Sequence, residues 1–84
     1  MGLQVKVNGP RGEKKILDLC ETEEQLEKMS VLHLKKIIVQ QLSISGDVRL
    51  VFQAETLEES DMLSMYGIKH MSTIHTLLVL PGGH

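Results

Sequence analysis

Three features of the sequence predict an α+β fold, in which a mixed sheet of four to five strands packs on one main helix. The chain opens on two short runs with period-two alternation and carries a single apolar stripe at helical spacing in its middle. It closes on Ile74 to Leu80, of which six residues are apolar or β-branched, followed at once by Pro81-Gly82-Gly83. Such a closing run reads as a buried strand, and in a domain with one core it has to pair centrally in the sheet.

Composition sets the bounds. The 84 residues, 42% of them apolar, suffice for one domain with a modest core and leave little room for a walled active-site cavity. The net charge of −2 and the scattering of nine basic residues argue against nucleic-acid binding, which needs clustered Lys and Arg. A lone cysteine, Cys20, forms no internal disulfide and fits a reducing compartment. Met1 to Pro10 contains no apolar signal core, and the longest apolar run, Leu77 to Leu80, is far too short to span a bilayer. The expectation is a soluble, monomeric domain of the cytoplasm, the nucleus or both, with neither nucleic acid nor membrane among its partners.

Taken in order, Leu3, Val5 and Val7 alternate with polar residues and predict the first strand. Asn8-Gly9-Pro10-Arg11-Gly12 has turn chemistry, and Lys15 to Leu19 predicts a second strand, with Leu17 and Leu19 inward. Ile16 breaks the alternation and marks a bulge or a shifted register. Cys20 to Met29 is an acidic insertion in which only Leu26 and Met29 can reach a core, and Thr22 with Gln25 has the spacing of a capping box. The main helix is expected over Ser30–Gln41, because Val31, Leu34, Ile38 and Leu42 form one stripe and Ser30 stands where an N-cap belongs. Lys35, Lys36, Gln40 and Gln41 fall mostly off the stripe and are expected in solvent. Ser43 to Asp47 ends the helix, and Val48 to Gln53 predicts a third strand with Leu50 and Phe52 inward and Arg49 and Val51 outward. Asp61 is placed to cap a short helix, Met62 to Tyr66, which Gly67 ends. The last strand begins near Thr73, with Ile74, Thr76 and Leu78 facing the core and His75 and Leu77 facing away. Thr76 is expected to be a hydrogen-bonded core hydroxyl.

Leu34-Lys35 with Ile38, Arg49-Leu50-Val51-Phe52, Leu57-Glu58, Leu63, Tyr66-Gly67-Ile68 and Ser72-Thr73-Ile74-His75 occur in that order along the chain. This ordered set, though no single part of it, resembles the signature of ubiquitin and ubiquitin-like domains over essentially the whole chain. Gly82-Gly83 stands at the same distance from Ser72-Thr73 as ubiquitin's terminal diglycine does from its matching pair. The resemblance implies a β-grasp roll over residues 1–80, with the acidic insertion 20–29, and a flexible tail over 81–84. It departs from the family by about six extra residues in the insertion and about one fewer between helix and third strand.

In ubiquitin the outward face of the corresponding strands, with a leucine in the first hairpin, receives ubiquitin-binding helices and small domains. The resemblance therefore implies a partner-binding surface of Val51, His75, Leu77, Arg49 and Ala54. Here the hairpin leucine is replaced by Pro10 or a neighbour, and Glu55 replaces a lysine used in chain linkage. The expected role is a non-catalytic protein-interaction domain, a module of a larger protein that meets receptor-type or proteasome-type binding modules. The alternative is a modifier conjugated through Gly83 after removal of His84, with Gly82 and Gly83 as the processing site. Val79 and Pro81 stand where ubiquitin carries the arginines that its activating enzyme reads, which disfavours that alternative. A sulfur carrier, which ends at its glycine pair, fits less well. No nucleophile, base and orienter can be assembled, so no enzyme is expected. His33, His70, His75 and His84 lack ligand spacing, so neither metal nor cofactor is expected. Cys20 reads as a structural thiol, and Glu21, Glu23, Glu24 and Glu27 as a solvated acidic face.

Overall fold

The computed structural model describes residues 2–80. Strands β1 (Leu3–Asn8) and β2 (Lys14–Cys20) form an antiparallel hairpin. Helix α1 (Glu23–Glu27) and helix α2 (Val31–Gln41) follow, then β3 (Asp47–Phe52), β4 (Glu55–Thr56), a 3-10 helix (Leu63–Tyr66) and β5 (Thr73–Val79). The sheet order is β2-β1-β5-β3-β4, parallel between β1 and β5 and antiparallel elsewhere. The last strand is central, as its apolar run requires. Residues 81–84, with the expected tail and its Gly82 and Gly83, lie outside the described residues.

The local signals act where the sequence places them. Thr22 Oγ1 accepts the amide of Gln25 at 3.1 Å while Gln25 Oε1 accepts that of Thr22 at 3.2 Å, closing the capping box at α1. Ser30 Oγ accepts the amide of His33 at 3.0 Å, so Ser30 caps α2 from just outside it. Two helical pieces form, with a break between them, because each has its own cap. The far end of α2 closes in a Schellman motif: the amide of Ser43 donates to Gln40 O and that of Ile44 to Val39 O. Ser43 adopts the positive φ of 53° that this motif demands, and Ile44 turns back into the core, a burial that the loop reading of Ser43 to Asp47 does not foresee. Lys15 Nζ donates to Gln41 O at 3.0 Å, placing a cation on a carbonyl at the negative end of the helix.

Between sheet and helix lies one core, built from Val5, Val7 and Leu17 of the hairpin, Leu34 and Ile38 of α2, Leu50 and Phe52 of β3, Leu63 and Ile74. Leu26 of α1 joins it, and Met29 packs partly against it. Each such aliphatic side chain contributes about 1.5–3 kcal/mol on burial. In the hairpin, Leu3 faces Cys20 but Gln4 faces Asp18, so the bulge sits at Leu19 rather than Ile16. Ile16 keeps strict alternation and points outward, 55% exposed.

Five further expectations change. Leu78 lies opposite Val48 yet is 44% exposed, because β1 follows β5 only as far as His75 and leaves the end of β5 with a neighbour on one side. Thr76 is buried at 2%, but its Oγ1 has no hydrogen-bond partner among the described residues. Asp61 does not cap the 3-10 helix, whose first residue is Leu63; its carboxylate instead accepts the Tyr66 hydroxyl at 2.6 Å, and that hydroxyl accepts the Glu58 amide at 3.0 Å. The neighbouring carboxylate, as acceptor, pushes the Tyr66 phenol above its ordinary pKa. Lys35 is not left in solvent: its ammonium pairs with Asp47 at 2.7 Å and with Glu59, tying α2 to the start of β3 and the loop after β4. Finally, β3 ends at Phe52, and Gln53 and Ala54 form a two-residue turn into β4 with φ of 52° and 67°.

Candidate functional site

Pairing within the sheet decides which side chains share its outer face. Val51 lies directly opposite His75, and Arg49 directly opposite Leu77. On the other side of β5, Asn8 lies beside His75 in the parallel register, and its Nδ2 donates to His75 Nδ1 at 3.3 Å. That bond turns the ring's Nδ1 toward β1. Leu77 is 51% exposed, Arg49 and His75 are exposed, and Val51 is half-buried between its neighbours on β4 and β5. Four of the five candidate residues thus lie in two adjacent cross-strand pairs.

Ala54 sits apart from these pairs, exposed in the turn beyond β3. Its φ of 67° is left-handed, a conformation that disfavours a Cβ, so a small side chain stands there for backbone reasons as well. Pro10 occupies the β1–β2 turn, half-buried, two residues beyond the Asn8 that touches His75. Glu55 opens β4 and is exposed.

The structure extends the apolar surface along β5. Val79 and Leu80 are exposed, and with Arg49, Leu77 and Leu78 they border an open groove of about 300 Å³. Val79 continues the outward alternation of His75 and Leu77, whereas the exposure of Leu78 depends on where the neighbouring strand stops, of which a run of leucines and valines carries no sign. Arg49 has no ion pair among the described residues, so the groove carries one positive charge beside four apolar side chains. Such a surface can hold an apolar side chain and a carboxylate together.

The Cys20 thiol donates to Thr22 O at 3.5 Å, and burial pushes its pKa up, with the nearby Glu21 carboxylate acting in the same direction. A thiol so placed is a poor nucleophile. His70 Nδ1 accepts the Gln4 amide at 2.9 Å, and the Gln4 carbonyl accepts the Met71 amide, pinning the start of β1 to the turn before β5. Among the described residues no three His, Cys, Asp or Glu side chains are grouped so as to hold a metal ion, and no helix is long and apolar enough to cross a membrane. No protein-family model matches this chain, and no curated protein matches it significantly.

Proposed function

We propose that the chain is a ubiquitin-like domain of β-grasp type that acts without catalysis, binding partner proteins through the outer face of β3 and β5. The reading rests first on the juxtaposition of Val51 with His75 and Arg49 with Leu77 in register on one open face. A central last strand, parallel to the first, with one helix across the sheet supports the β-grasp assignment. Leu77 is the anchor: a large aliphatic side chain, half exposed in the free protein, gains burial only when something covers it. Arg49 and His75 supply polar contacts around it. This role needs no free carboxyl terminus.

A heteronuclear NMR titration with a ubiquitin-binding helix tests it. The amides of Val51, His75 and Leu77 are expected to shift, and Leu77→Ala to weaken binding by about tenfold, the scale on which truncating an interface anchor costs somewhat over 1 kcal/mol. Shifts confined to Cys20–Met29 would transfer the interface to the acidic insertion and sink the proposal.

A further inference from the structure

The second surface with a definite chemistry is the free edge of β2, on the opposite side of the sheet from β3 and β4. In the hairpin the amide of Gly9 donates to Glu13 O at 2.8 Å, which makes that pair a hydrogen-bonded one. Antiparallel pairs alternate, so Val7 with Lys15 and Val5 with Leu17 are the next hydrogen-bonded pairs. The peptide groups of Lys14, Ile16 and Asp18 therefore point away from β1, toward the open edge. On the outer face the same three residues present a cation, a 55% exposed isoleucine and an anion, in that order.

We infer that this edge is self-complementary, and that two copies of the chain pair through it as a two-fold symmetric, antiparallel β2–β2 dimer centred on Ile16. In that register the Ile16 side chains lie opposite one another, and Lys14 of each copy faces Asp18 of the other. The three outward peptide groups of each strand then find partners in the same order. No other register does this: one step either way sets Ile16 against a charge, and two steps set Lys14 against Lys14 or Asp18 against Asp18. Lys14 has no ion pair among the described residues. Asp18 uses Oδ1 to accept Gln4 Nε2 at 2.8 Å, which leaves Oδ2 for the incoming ammonium. Lys15, which would otherwise guard the edge as lysines commonly do, is turned inward to Gln41 O at 3.0 Å.

The symmetry also limits growth. Pairing consumes the β2 edge of both copies, and the opposite edge is a two-residue strand, β4, too short to template another chain. An edge-to-edge contact of this kind falls below the roughly 1,200 Å² of a standard interface, so a dissociation constant on the order of 1 mM is expected, with monomer at dilute concentration.

Sedimentation and amide NMR of the whole chain from about 20 μM to about 2 mM bracket that constant. Rising concentration is expected to produce dimer and to shift the Lys14, Ile16 and Asp18 amides. Lys14→Asp and Asp18→Lys are each expected to weaken the dimer at least ~10-fold by opposing like charges, and the double reversal to restore it within ~3-fold. Spectra at low concentration verify that each variant folds. A chain that stays monomeric throughout, a dimer indifferent to the single reversals, or a double variant as weak as the singles would each overturn the inference. Shifts centred on His75 and Leu77 would do so as well, by moving self-association to the other surface.

Discussion

The two faces of β5 use neighbouring residues of one strand for opposite ends. Ile74, beside Val7 of β1, and Thr76, opposite Leu50 of β3, are buried at 0% and 2% exposure, while His75 and Leu77, one position along each time, meet solvent. The lesson is that hydrophobicity along this strand does not say which residue stabilises the fold. Leu77 and Ile74 are equally apolar; only the layer laid over each differs.

Substitution on the two faces should separate the roles. Ile74→Ala, at a fully buried position, is expected to cost about 3 kcal/mol of unfolding free energy, a large part of what a domain of this size possesses. Leu77→Ala should change stability by less than ~0.5 kcal/mol, since its side chain already meets water. Urea denaturation of both variants makes the measurement, and equal losses would erase the distinction. Thr76→Val sharpens it within the inner face. Removing an unpartnered hydroxyl while keeping the β-branched shape should raise stability by about 1 kcal/mol, and a loss would mean that the hydroxyl has a partner after all.

The smallest effect concerns the rim of the sheet. The Lys35 ammonium, with its pKa raised chiefly by the hydrogen bond to Asp47 and then by that to Glu59, holds the Asp47 carboxyl below its ordinary range. A depressed acid stabilises the fold above its unfolded pKa, and that contribution is lost as pH falls through the folded value. A raised lysine stabilises below its unfolded pKa, and that contribution is lost as pH rises through the folded one. Lys35→Met should therefore lower stability near neutrality slightly and flatten the acid limb of the stability–pH curve. An unchanged acid limb would show that the pair contributes nothing in solution.

Much of the inner face was legible from the residues. Alternation located Val5, Val7, Leu17 and Leu50, and the stripe of Val31, Leu34, Ile38 and Leu42 located α2, because burial on one side imposes a period that the chain displays openly. Caps were legible at Thr22 and Ser30, where the partner lies three residues away. Asp61 shows the limit of that logic. Its carboxylate had the right position for a cap, but a tyrosine hydroxyl five residues on is the stronger competitor. The turn at Gln53-Ala54 and the positive-φ cap at Ser43 are not legible in the sequence, because neither carries the glycine or asparagine that positive φ normally selects. For the candidate site, alternation together with the resemblance marks Val51, His75 and Leu77, whereas the resemblance includes neither Val79 nor Leu80 in that surface.

Through short-range periodicity and capping, the sequence alone determined that there are two alternating strands, one amphipathic helix and a long apolar closing strand. Tertiary structure decided where the neighbours of β5 stop. Because β1 ends its pairing at His75, Ile74 lies in the core while Leu78, on the same inward face opposite Val48, is open to solvent. Strand length on a neighbouring segment, far away in the chain, carries that information, and no local pattern in Ile74 to Leu80 can encode it.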